Sequence, residues 1–215
     1  KRKEGILYNI DSYNGYWYMH TNENAEDFKI LRCKYEKTNE WVDFIPAKNG
    51  VLIGGLLFLK SWILRTEISD ALQKVFVINM NTDKEEQLIF TDEKVISPSV
   101  SLMQKDKNTD NVRISYESPK TPSRVFEYNL KDKNKKLVKE QEIPSGHERN
   151  NYIVERINCD SHDGRKIPIT ITYHKNTKLD GSANLLMYGY GSYGNSMTPT
   201  FSTSRLSLID RNIIW

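Results

Sequence analysis

Lys74-Val75-Phe76-Val77-Ile78-Asn79-Met80, followed by Asn81-Thr82-Asp83-Lys84, is the stretch on which the fold turns. A β-branched and apolar run feeds a polar turn of the kind that closes hairpins. The pattern recurs on both sides. Ile30-Leu31, Val75-Phe76 and Val125-Phe126 stand 45 and 50 residues apart (75 − 30 and 125 − 75). Each pair lies in a strand-like run: Phe28–Tyr35, Lys74–Met80 and Arg124–Leu130. Each run leads through a turn, with Glu36-Lys37-Thr38-Asn39 and Lys131-Asp132-Lys133-Asn134 as the counterparts of the quoted one. A further candidate strand follows at Trp41–Ile45, Gln87–Phe90 and Leu137–Lys139, and one precedes at Tyr16–His20, Trp62–Arg65 and Val112–Tyr116.

A period of about 40–50 residues with about four short strands per unit predicts a β-propeller. Three units do not close a ring of about 4–8 blades, so further blades are expected before Lys1. A β-sandwich with coincidental spacing is the alternative. It is disfavoured because strand and turn signals recur together.

The character changes at Ile143-Pro144-Ser145-Gly146, a turn-rich junction. Tyr152–Cys159, the turn Asp163-Gly164 and the alternating Lys166–Tyr173 predict a hairpin. Asn176–Ala183 reads as a polar loop and Leu185–Tyr188 as a buried parallel strand. Ser202–Asp210 reads as a helix with Ser202 as N-cap, and Ile213–Trp215 starts another strand. That order is how an α/β sheet begins.

Tyr188-Gly189-Tyr190-Gly191-Ser192-Tyr193-Gly194 follows the expected parallel strand. Ligands of open α/β sheets sit at the carboxyl ends of strands, so this loop belongs to a candidate site. Gly189, Gly191 and Gly194 match G-x-G-x-x-G, but Met197-Thr198-Pro199 interrupts before any helix. Asp210 also precedes the next apolar run instead of following it, against the dinucleotide pattern. Tyr190-Gly191-Ser192-Tyr193-Gly194 lacks the first glycine of a nucleophile elbow, so Ser192 reads as a turn residue.

Bulk properties narrow the classes. The chain has 215 residues and a net charge of +3. The charge is too weak and dispersed for a nucleic-acid partner. Lys131–Lys136 is the densest basic run and reads as a solvated hairpin tip. Cys33 and Cys159 match no metal spacing, and His20, His147, His162 and His174 are scattered. No metal and no cofactor are expected. A reduced, cytoplasmic setting is the default for two distant cysteines, although a disulfide stays open. No apolar run approaches a membrane span. The opening Lys1-Arg2-Lys3-Glu4-Gly5 has no leader-like apolar region. Without an initiator Met, and stopping within Ile213-Ile214-Trp215, the chain is expected to be cut from a longer polypeptide.

These features together resemble the prolyl oligopeptidase family of serine peptidases, and within it the oligopeptidase B (protease II) branch. The resemblance rests on Tyr116–Pro122 (YESPKTP), Asp163–Pro168 (DGRKIP), the Tyr188–Gly194 loop and Ser204–Arg211 (SRLSLIDR). It implies a fold of mixed β and α/β character. Residues 1–147 would be the C-terminal blades of a β-propeller, about three of them. Residues 148–215 would start an α/β-hydrolase peptidase domain.

The resemblance further implies hydrolysis of short peptides after Arg or Lys by a Ser-His-Asp triad, with the propeller keeping folded proteins out. Tyr190 matches the family tyrosine whose hydroxyl donates to the oxyanion, and Tyr193 matches an aromatic position in the primary specificity pocket. Read from the residues alone, Tyr190 is better taken as a packing residue; Tyr188 reads as core. The chain has no G-x-S-x-G, so the triad is expected beyond it and the 215 residues alone are expected to be inactive. The competing expectation is a non-catalytic remnant or an interaction module whose exposed strand edges self-associate.

Overall fold

The computed structural model describes residues 3–100 and 106–215. Lys1 and Arg2, which open the stretch read for a leader, lie outside the described residues. Three four-stranded antiparallel sheets come first, each with its strands in chain order. The first comprises β1 (Tyr8–Tyr13), β2 (Tyr16–Thr21), β3 (Lys29–Lys34) and β4 (Val42–Ile45). The second comprises β5 (Val51–Leu59), β6 (Trp62–Ser69), β7 (Leu72–Asn79) and β8 (Lys84–Gln87). The third comprises β9 (Ser97–Val100), β10 (Asn111–Ser118), β11 (Thr121–Asn129) and β12 (Lys135–Glu140). Each is a propeller-blade meander, and the repeated dipeptides fall on the third strand of each.

The chain forms two compact units, one built on β1–β8 and the other on β9 onwards. In the first unit Tyr18, Ile30, Ile45, Ile53, Phe58, Ile63 and Ile78 bury one apolar cluster. Gly54 sits where the β5–β6 register shifts between Ile53 and Leu56. A Cβ there would clash with Thr66 Oγ1 and lie 3.1 Å from the Thr66 carbonyl oxygen, so glycine permits the close strand approach.

In the second unit, a hairpin of β13 (Tyr152–Asp160) and β14 (Lys166–His174) pairs without interruption from Tyr152↔His174 to Asp160↔Lys166. Gly164 takes φ +79 in its turn, a conformation that costs glycine little. One helix, α1 (Thr203–Ile209), follows, capped by the Ser202 hydroxyl, which accepts from the Arg205 amide.

Three readings of the sequence are corrected. The second sheet's outer strand is Lys84–Gln87, not Gln87–Phe90, because the hairpin closes early at Asn79↔Lys84. Leu185–Tyr188 forms no buried strand. It makes one parallel bridge, Leu185↔Ile214, and Leu185 and Met187 are 59% and 75% exposed. Neighbours on one side only leave its side chains uncovered. Tyr188 is likewise exposed rather than core, touching the Trp215 ring at 6.2 Å between centroids.

Candidate functional site

The site grows from the β13–β14 hairpin. Thr172 on β14 and Trp215 exchange both backbone hydrogen bonds, at 2.8 and 2.9 Å, the pattern of an antiparallel pair. Ile214 donates to the Asn184 carbonyl at 2.9 Å and accepts from the Leu186 amide at 2.8 Å. Residues 184–186 therefore run parallel to 213–215, with α1 lying between them in sequence. The glycine–tyrosine loop leaves the carboxyl end of this segment.

A cavity of about 580 Å³ opens at that end. Ile167 and Ile169 of β14, Met187, Tyr188 and Tyr190 of the loop, Met197–Pro199, Arg205 of α1 and Trp215 line it, as do Arg156 and Cys159 of β13. Tyr190 is 48% exposed and lines the cavity. Tyr193 is 93% exposed, takes φ +56, and is absent from the lining. Of the two candidate site residues, the structure brings one to the cavity. A Cβ at Gly189 or Gly191 would meet nothing within 4 Å, so this stretch of main chain faces open space. α1 opens only at Thr203, well past Gly194, so it does not start directly on the loop as dinucleotide binding requires.

Two arginines complete the cavity, and the sequence reading did not single them out. Arg156 Nη1 donates to Thr170 Oγ1 at 2.9 Å across the hairpin. Arg205 Nη1 donates to the Thr200 carbonyl at 2.7 Å, and its guanidinium stacks 5.0 Å from the Trp215 ring centre. Burial lowers the Arg205 pKa, and the Glu117 charge opposes this from a distance. One signal was legible. A cation in the first turn of a helix opposes the macrodipole, so Arg205 needed a reason to be there.

A second cavity in the same unit, lined by His147, Tyr152, Leu206 and Asp210, has aromatic packing. Tyr152 Oη donates to Asp210 Oδ1 at 2.8 Å, and burial, then this bond, push its pKa up to about 12. His147 stacks on Tyr152 with centroids 5.3 Å apart and donates from Nε2 to the Lys120 carbonyl at 2.7 Å. Among the described residues no group of three or more His, Cys, Asp or Glu could hold a metal ion. Cys33 and Cys159 are free thiols. Among the described residues no helix is long and apolar enough to cross a membrane.

Comparison with known proteins agrees with this architecture. The whole chain is 32% identical to dipeptidyl aminopeptidase BI of Pseudoxanthomonas mexicana, spanning 30% of that protein's length. It is 28% identical to protease 2 of Moraxella lacunata, spanning 31% of it. Among solved structures, oligopeptidase B from Trypanosoma brucei with covalently bound antipain, in a closed form, superposes with a TM-score of 0.88 at 25% identity. That match covers 99% of this chain and 31% of the other. The chain thus spans under a third of the relatives it matches. Residues 1–141 match the family model described as the prolyl oligopeptidase N-terminal β-propeller domain, and the chain belongs to the prolyl oligopeptidase family of peptidases.

Proposed function

We propose that this chain is a section of a serine oligopeptidase that cleaves short peptides after Arg or Lys. Residues 1–147 supply propeller blades and 148–215 the start of the α/β-hydrolase domain. The family match ending at residue 141 and the turn-rich Ile143–Gly146 junction support that boundary. The observation that carries the reading is Tyr190, half exposed at a cavity and set just beyond a parallel-paired segment.

A phenol keeps its proton near neutral pH and can donate. Aimed at a carbonyl oxygen that becomes negative, it binds the transition state more strongly than the substrate. The serine, aspartate and histidine would lie outside these 215 residues, which contain no G-x-S-x-G. Tyr193 would border the primary specificity pocket once the remaining walls are in place. The chemistry needs side chains only, with no cofactor, and the setting is the cytoplasm. Short peptides are the partners. The outer strands β1 and β12 present edges through which an incomplete propeller would self-associate.

The test is cleavage by the protein carrying both this chain and a serine turn. A blocked peptide with paired basic residues is expected to be cut after the basic residue. Cleavage of a prolyl peptide instead would move the protein to the prolyl-specific branch and overturn the Arg/Lys assignment.

A further inference from the structure

The cavity beside Tyr190 has a one-sided charge. Its lining holds two guanidinium groups, Arg156 and Arg205, and no Asp, Glu, Lys or His. The two arginines differ in how they are satisfied. Arg156 is tied to Thr170 on the facing strand. Arg205 spends Nη1 on a backbone carbonyl, while its Nε is buried without a hydrogen-bond partner. Among the described residues no carboxylate forms an ion pair with it. Glu117 acts on it only through its charge.

Burying part of a cation without a counter-charge is costly, and an orphaned donor on a charged group adds to that cost. Stacking on Trp215 offsets part of it and fixes the plane of the fork. A planar guanidinium held in this way matches the two oxygens of a carboxylate. The rest of the wall, including Ile167, Ile169 and Met187, is apolar.

We infer that Arg205 is the receptor for a carboxylate entering this cavity, with an apolar body lying against Ile169 and Met187. On the peptidase reading, on which this inference rests, the ligand is the free C-terminal carboxylate of a short peptide lying past Tyr190. The other source of the same chemistry is an Asp or Glu of the protein's own further sequence.

The probe is acetyl-Ala-Phe with a free carboxylate, set against its C-terminal amide. It is titrated into the chain with ¹⁵N-labelled arginine, and the Arg205 Nε–H resonance, assigned with Arg205→Lys, is followed. The acid is expected to shift that resonance saturably and to bind at least about tenfold more tightly than the amide, the worth of one good charged contact. Equal binding of acid and amide overturns the assignment. So does an unmoved Arg205 signal in a well-dispersed spectrum.

Arg205→Gln in the longer protein separates the two sources. A rise in KM confined to free-carboxylate substrates assigns the carboxylate to the peptide. A lower Tm with KM unchanged for acid and amide substrates assigns it to the protein itself. Absence of both effects overturns the inference. Binding to the chain needs no catalytic serine, so a failure of the peptidase reading is read independently.

Discussion

Tyr152 shows how a single polar contact in the second unit can be weighed. Its hydroxyl is buried against Asp210, and its pKa rises from 10.0 to about 12. The folded chain therefore holds this proton more tightly than the unfolded one. The stabilisation is complete below pH 10 and is lost as pH climbs through about 12. Tyr152→Phe is expected to flatten that part of the stability–pH profile relative to the parent, by on the order of 2 kcal/mol between pH 9 and 12; urea melts at both pH values measure it. On the peptidase reading proposed above, Tyr190 would carry the mechanistic weight. Tyr190→Phe in the complete peptidase should lower kcat by roughly 10²–10³ with little change in KM, because the donor acts on the developing charge.

Legibility at this scale was uneven. Ser202 was readable as an N-cap because its hydroxyl serves the nearest backbone donor. Tyr190 was placed by its motif. Tyr193 shares that motif, yet a left-handed backbone turns it out into solvent, and nothing in the residue types signals that turn. Arg205 needed three dimensions, since its stacking partner Trp215 lies ten residues away in sequence (215 − 205).

At the scale of elements, the repeat was legible because it is tied to local geometry. In the first and third sheets the register against the outer strand shifts at the repeated dipeptide, between Ile30 and Leu31 and between Val125 and Phe126. The residues at the two shifts differ, Ile-Leu against Val-Phe, so the spacing survived where identity did not. The first strands were harder to read. In β5, Val51–Leu59, a continuous apolar run is broken by Gly54-Gly55, which masks the alternation of a half-buried strand. Leu185–Tyr188 has strand composition, but pairing on one side leaves it exposed; composition alone does not report how many neighbours a strand will have.

The second sheet also holds a buried charge cluster that can be tested. Arg65 is fully buried, donates to Glu85 Oε1 at 2.5 Å and Glu67 Oε2 at 2.6 Å, and lies 4.2 Å from the Phe76 ring centre. Burial works against its charge, and the two carboxylates outweigh it, leaving its pKa raised. Glu67→Ala should cost about 2 kcal/mol, because part of a buried cation loses its partner while Glu85 remains. Arg65→Met with Glu67→Leu should recover most of that loss, since well-packed apolar replacements of buried ion pairs are often neutral. Denaturant midpoints of the three proteins decide it. A Glu67→Ala midpoint equal to the parent's would mean the cluster is not desolvated as described.

For the whole molecule, the family, the propeller meanders and the hairpin-to-helix order were all open to sequence reading, because they rest on period, turn chemistry and alternation. The assignment of sheets to compact units was not, since it depends on packing between segments far apart in sequence. The 215-residue chain contains no G-x-S-x-G, so a serine-directed phosphonate should leave it unlabelled, and stoichiometric labelling by mass spectrometry would refute that. The most direct test of the account combines that probe with size. Native extract is labelled with the phosphonate, and the species bearing peptides of this chain is measured by intact mass. The account predicts a labelled species of roughly three times 25.1 kDa, in keeping with a chain that spans 30% and 31% of its relatives. Peptides of this chain found only in an unlabelled species near 25.1 kDa would contradict it.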